Sequence, residues 1–294
     1  MPELPDIDVY VNALDARIVG KPVVGIDIAN PFVLRTALPP IADLVGRAPR
    51  RVRRIGKRIV IDFDADLHLV VHLMIAGRLR WIEPGASAPA RITLARIRFA
   101  SGTLAFTEAG SKRRASLHVV AGSAALAAFD MGGLEVEDID LAAFGARLTA
   151  ENHTLKRALT DTHAFAGIGN AYSDEILHRA KLSPLAMTQK LAPEAIAMLY
   201  TAAREVLGEW RQRLGREAGD AFPAKVTAFR DGMAVHGRFG KPCPACGAPV
   251  QRIVYAENEC NYCPRWQTGG RILADRALSR LLYASWPRSI DELG

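Results

Sequence analysis

The sequence predicts an α+β protein in several parts: a β-sandwich or barrel with a helix packed on it, then a helical region, then a cysteine-bearing finger. Three observations predict this. The first ~120 residues carry short runs rich in β-branched residues behind one amphipathic stretch, and from about Leu141 the apolar period becomes helical. All four cysteines then fall between Cys243 and Cys263.

Pro5, Asp6 and Asp8 read as the first turn of a helix, since proline suits a first helical position and acids complement the dipole there; Ile7, Tyr10, Leu14 and Ile18 share one face. Strands are expected at Val23 to Ile28, Arg58 to Phe63, Leu67 to Leu73, Ile92 to Phe99, Thr103 to Thr107 and Leu117 to Val120. Asp64-Ala65-Asp66 reads as the turn of a hairpin. Met131-Gly132-Gly133-Leu134 reads as a connector. Ala195 to Leu214 is the clearest helix: Pro193 opens it, and Ile196, Leu199, Ala203, Val206, Trp210 and Leu214 form a core-facing stripe. A last amphipathic helix is expected from Ile272 to Tyr283.

Hydrophobic residues make up 49% and charged residues 23%, an ordinary globular composition rather than a disordered one. The 38 Lys and Arg against 31 Asp and Glu leave +7, which favours a polyanionic partner. No apolar run approaches the ~18 residues of a membrane span, and the start lacks the basic and apolar segments of a signal peptide. A cytoplasmic protein without membrane contact is expected. The clustered cysteines suit a metal site in a reducing compartment better than a disulfide framework.

The chemistry concentrates in a few stretches. Removal of Met1 leaves Pro2 with an α-amine titrating near ~8, whose free-base fraction near neutral pH is far larger than that of lysine. Such an amine can attack a sugar C1′ while the adjacent carboxylate of Glu3 shuttles protons. On these residues alone, an ordinary leader before a helix is the commoner reading. Gly167-Ile168-Gly169-Asn170-Ala171-Tyr172-Ser173-Asp174-Glu175 lets the backbone approach a phosphate, and Asn170 can cap the following helix, although such a turn is more often a plain connection. Arg50-Arg51-Val52-Arg53-Arg54-Ile55-Gly56-Lys57-Arg58 supplies basic density or a solvated strand edge.

Met1 to Asp6, His72 to Arg80, Gly167 to Glu175 and the cysteine region occur together in the order and spacing that resemble the formamidopyrimidine-DNA glycosylase and endonuclease VIII family, across essentially the whole chain. The resemblance implies a bifunctional DNA glycosylase and apurinic/apyrimidinic lyase of base excision repair, acting as a monomer on damaged double-stranded DNA with the target base flipped out. It implies a catalytic β-sandwich domain at residues 1–125, a helix-two-turn-helix domain at 126–225, a zinc finger at 235–270 and a helical tail at 271–294. Pro2 is then the nucleophile, Glu3 the proton donor, and Lys57 a phosphate contact that also moves protons during elimination. Asn170 grips phosphate flanking the lesion, and Lys156 joins the DNA-contact set. His72 and Ile75 fall at the strand end and turn where the family inserts an apolar wedge; without the resemblance Ile75 reads as core. Arg113 stands for a strand-contacting arginine, with no intercalating aromatic beside it.

Three departures follow. Cys243-Pro-Ala-Cys246 and Cys260-Asn-Tyr-Cys263 are two Cys-x2-Cys pairs that together can bind structural Zn²⁺ tetrahedrally. The resemblance, however, makes Cys263 the third ligand and puts Trp266 where the fourth cysteine belongs, leaving Cys260 as the substitute. The family's finger arginine is replaced by Asn258, whose neutral side chain lacks a guanidinium's bidentate contact, so a weaker grip or altered δ-elimination is expected, with Arg252 as the candidate to compensate. The stretch from Gly219 to His236 is shorter than the family's 8-oxoguanine-capping loop, which leans toward oxidised pyrimidines, abasic sites or an unusual lesion. The competing readings are a catalytically weakened relative that binds damaged or branched DNA, and a zinc-ribbon RNA-binding or scaffold protein, which explains the charge and cysteines but not the terminal motif.

Overall fold

Glu3 and Asp6 lock the start of the first helix, α1 (Leu4–Ile18), by a capping box: the Glu3 side chain accepts from the Asp6 backbone N–H, and the Glu3 N–H donates to Asp6 Oδ2 at 3.0 Å. The expected stripe is inward, with Ile7, Tyr10, Leu14 and Ile18 all at most 1% exposed. A computed structural model describes residues 1–110, 112–223, 226–227, 229–255, 258–274 and 287–292 of the chain. The chain divides into two compact units, Met1–Met131 with Trp210–Thr227, and Gly132–Glu209 with Ala228–Gly294.

The first unit is a β-sandwich of two four-stranded antiparallel sheets. One has β1 (Val23–Ile28), β6 (Thr93–Phe99), β7 (Gly102–Glu108) and β5 (Gly77–Ile82) in that spatial order; the other has β2 (Arg51–Ile55), β3 (Arg58–Asp62), β4 (Leu67–His72) and β8 (Ser116–Ala121). A single core takes Leu14 from α1, Leu94 and Leu104 from one sheet, and Ile59, Leu69 and Leu117 from the other. A short helix, α2 (Ser123–Ala127), follows β8. Strand β5 escapes the sequence reading, and β2 enters it only as a possible solvated strand edge. Both are edge strands, and both carry arginine at alternate positions, the charged edge that blocks unwanted pairing but hides the β pattern. In β2 only Val52 is buried, while Arg53 pairs with Asp62 at 2.7 Å and Arg54 with Asp8 at 2.8 Å.

In the second unit Asp140 caps α3 (Leu141–Thr149) and Thr154 caps α4 (Leu155–Thr160), each accepting from a first-turn N–H. Two turns lead to α5 (Asn170–Arg179). The long α6 (Pro193–Ala218) begins in this unit, and its last turns count with the first. A hairpin of β9 (Gln251–Tyr255) and β10 (Asn258–Tyr262) ends in α7 (Pro264–Thr268). The tail helix expected from Ile272 to Tyr283 lies outside the described residues from position 275. Among the described residues no helix is long and apolar enough to cross a membrane.

Candidate active site and metal centre

In the first unit, helix capping does more than start a helix. Pro2 is buried, Glu3 is 2% exposed and Asp6 1%, so the capping box holds two carboxylates at the chain terminus with little freedom. Burial lowers the terminal ammonium of Met1 below its ordinary value of 8.0; Glu3 and Asp6 oppose the shift, and Arg78 and Lys57 reinforce it. The terminus, both acids and both cations therefore form one electrostatic group. Lys57 is 8% exposed and sits in the two-residue turn between β2 and β3, where Gly56 supplies the φ of +54°.

The turn from β4 to β5 is tightly closed. Gly77 N–H donates to Leu73 O at 2.8 Å, and a Cβ at Gly77 would collide with that same carbonyl oxygen. At its tip Met74 takes a φ of +53°, a conformation uncommon outside glycine, and Ile75 projects with 58% exposure. The bare reading of Ile75 as core is thus corrected: it is an exposed apolar tip. His72, at the end of β4, is held neutral, its pKa lowered to about 4 by burial first and then by Arg58, His118 and Lys57. Arg113 lies exposed on the loop before β8 and donates to Arg91 O at 3.2 Å.

In the second unit the first turn of α5 presents Asn170, whose Nδ2 donates to Glu259 O of β10 at 2.7 Å. Lys156 does not stand ready for DNA. Its ammonium has three N–H groups, and they meet Asn170 O at 2.6 Å, Ser173 Oγ at 2.8 Å and Asp174 Oδ1 at 2.5 Å in the interior, which leaves no donor for a phosphate. Asp174, fully buried, also accepts from the Asn261 N–H at 3.1 Å and bonds His236 Nδ1 at 2.8 Å. Glu175 accepts from the backbone N–H groups of Ala234, Val235 and His236 at 2.6, 2.9 and 2.9 Å. Burial raises the Glu175 pKa against the pull of those three donors. Sequence reasoning quotes Asp174 and Glu175 within the glycine motif but assigns them nothing, since most of their partners, Lys156 apart, stand about sixty or more positions away.

The sulfur atoms of Cys243, Cys246 and Cys263 lie within 4.8 Å of one another, with Cys246 and Cys263 at 3.4 Å. Zinc about 2.3 Å from each sulfur in a tetrahedron separates them by about 3.8 Å, so three soft thiol donors at this spacing fit the metal. Cys260 does not join them, and its placement as substitute ligand is corrected. Strand alternation puts Cys260 with Tyr262, in an apolar cluster with Ile253 and Leu273, whereas Cys263 has left the strand and caps α7. Burial pushes the Cys260 thiol well up, and the neighbouring Asp174 carboxylate adds to this. Asn258 is exposed at the start of β10; Arg252 is paired with Glu259 at 3.2 Å and stacked over Phe239 at 4.4 Å.

Two family models match the chain: the formamidopyrimidine-DNA glycosylase N-terminal domain over residues 1–114, and the formamidopyrimidine-DNA glycosylase H2TH domain over residues 133–212. A formamidopyrimidine-DNA glycosylase of Pelotomaculum thermopropionicum is 30% identical over 91% of this chain and 99% of its own. An uncharacterized formamidopyrimidine-DNA glycosylase-like protein of Mycobacterium tuberculosis is 42% identical over 51% of this chain and 90% of its own. Among solved structures, Lactococcus lactis formamidopyrimidine-DNA glycosylase in complex with tetrahydrofuran-containing DNA and an inhibitor superposes with a TM-score of 0.80 at 26% identity, covering 91% of this chain and all of that one. The same protein bound to DNA containing an abasic site gives 0.79 at 25% identity, covering 90% and 99%. The chain belongs to the formamidopyrimidine-DNA glycosylase/endonuclease VIII family, the DNA glycosylases that open repair of damaged bases.

Proposed function

We propose that the chain excises damaged bases through an N-terminal proline Schiff base and nicks the strand by β-elimination, acting as both glycosylase and apurinic/apyrimidinic lyase. The observation that carries this reading is the terminus itself: Pro2 and Glu3 buried at the head of α1, within one charge group with Asp6, Lys57 and Arg78. With Met1 removed, the Pro2 nitrogen attacks C1′, the bond to the base breaks, and the base leaves with a proton. The sugar ring opens as the iminium forms, with Glu3 as the proton carrier. Loss of a C2′ proton then breaks the C3′–O bond, releasing the downstream strand with a 5′-phosphate and leaving an unsaturated aldehyde on the upstream strand. Lys57 serves the phosphate and proton transfer, Ile75 fills the gap left by the extruded base, and His72, Arg113 and Asn170 complete the DNA contacts. The relatives captured on abasic-site DNA support the substrate class.

Cys243, Cys246 and Cys263 would hold a structural Zn²⁺, which keeps a short hairpin folded where apolar burial alone is insufficient.

Borohydride trapping on an abasic-site oligonucleotide tests the mechanism. A covalent adduct with the Met1-processed protein is expected, and acetylation of the terminal amine should abolish it. Glu3→Gln should lower base release by roughly 10²–10⁴-fold, the usual weight of a positioned acid–base group. No adduct, together with tight retention of the same DNA, would overturn the enzyme reading in favour of a binding protein.

A further inference from the structure

Three finger thiols leave a closed tetrahedral site one donor short, and Cys260, the remaining cysteine, faces away. A residue from outside the finger stands against one of the three, Cys243. His178, in the last turn of α5 and 7% exposed, places Nε2 3.2 Å from Cys243 Sγ. For a zinc bound by one sulfur and one imidazole nitrogen, the two donors sit about 3.5 Å apart, so the ring is already near a ligand's place. Trp266 flanks the imidazole with ring centroids 6.4 Å apart, and Lys181 Nζ covers the indole at 4.3 Å.

The helix gives an independent reason. Asn170, Asp174 and His178 are spaced four apart, so they form one stripe along α5. Asn170 bonds the Glu259 carbonyl, Asp174 bonds the Asn261 N–H, and His178 meets Cys243. The first two teeth of this stripe grip the hairpin backbone; the third ends at the thiols.

We propose that His178 is the fourth ligand of the metal centre, making it a Cys3His site that joins α5 to the finger. This rests on the reading of Cys243, Cys246 and Cys263 as zinc ligands. It assigns a metal role to a residue of the helical region, and it supplies the donor that tryptophan at position 266 cannot.

X-ray absorption at the zinc edge of the full-length wild-type protein is the direct test. Three sulfurs and one nitrogen with outer-shell imidazole scattering are expected; a zinc shell with no imidazole would overturn the proposal. The zinc-to-chelator competition of His178→Phe and His178→Cys adds an energetic readout. The phenylalanine variant should bind zinc at least ~10–100-fold more weakly, the loss already seen when a mere supporting group of a ligand is removed, and cysteine should restore it. Unchanged affinity in His178→Phe would overturn the proposal. If that variant does not fold, the wild-type absorption spectrum decides. Wild-type protein that takes up no zinc under reducing conditions would instead sink the metal reading itself, leaving the two failures distinguishable.

Discussion

The sandwich and the helix-finger unit are stabilised by different physics. In the first, α1 and two sheets bury a continuous apolar core, and polar groups serve mainly its rim and terminus. In the second, two carboxylates, Asp174 and Glu175, sit in the middle of a helix and satisfy an ammonium, an imidazole and four backbone N–H groups drawn from distant parts of the chain. Apolar packing tolerates graded change, whereas a buried ionic network fails when any one charge is removed, because its partner is stranded.

The largest effect should come from the network. Asp174→Ala leaves the Lys156 ammonium, 9% exposed, without its counter-charge and should destabilise by roughly 3–5 kcal/mol in urea unfolding. Replacing both members, Lys156→Met with Asp174→Leu, should recover part of that loss, and a double-mutant cycle reads the coupling. If the double variant is no better than the single, the contrast between the units is wrong. In the sandwich, Leu14→Ala, at a site with no exposure, should cost about 3 kcal/mol through lost burial and the cavity left behind.

His72 sharpens the comparison by pH. Its folded pKa of about 4 lies below the unfolded value of 6.5, so above pH 6.5 both states are neutral. Between pH 6.5 and about 4 the unfolded chain takes up a proton that the folded one refuses, and stability falls as the pH drops through that window, by at most about 3 kcal/mol. His72→Asn should flatten this part of the profile, with Arg58, Lys57 and His118 left in place, as urea midpoints at pH 7 and pH 4.5 would show. The smallest effect on stability belongs to Ile75→Ala, within about 0.5 kcal/mol because the side chain is exposed. Its cost should appear instead in affinity for lesion-bearing duplex, measured against an undamaged control.

Legibility followed the range of the interactions. The stripe on α1 and strand β1 could be read from local period, since what fixes them lies within a few residues. The edge strands were harder: β5 showed no such period and β2 only the alternative of a solvated strand edge, because their arginines are chosen for what must not pair with them. Cysteine spacing located the metal region but carried no facing, and strand alternation decided which cysteine turned away. Lys156 entered the DNA-contact set through the resemblance, whereas its three internal acceptors come together only when α4 and α5 pack. His178 offered no signal at all: a single histidine in a helix acquires meaning only from a thiol 65 positions away.

The stripe along α5 also limits how this chain can vary in length. Asn170, Asp174 and His178 engage the hairpin and its thiols at successive turns, like teeth in a rack. Inserting or deleting one residue between them rotates every later tooth by about 100° and shifts it by about 1.5 Å. Loops elsewhere can lengthen with little penalty, but this segment can change identity only by substitution, so related chains that share the mechanism should hold the interval from 170 to 178 at constant length.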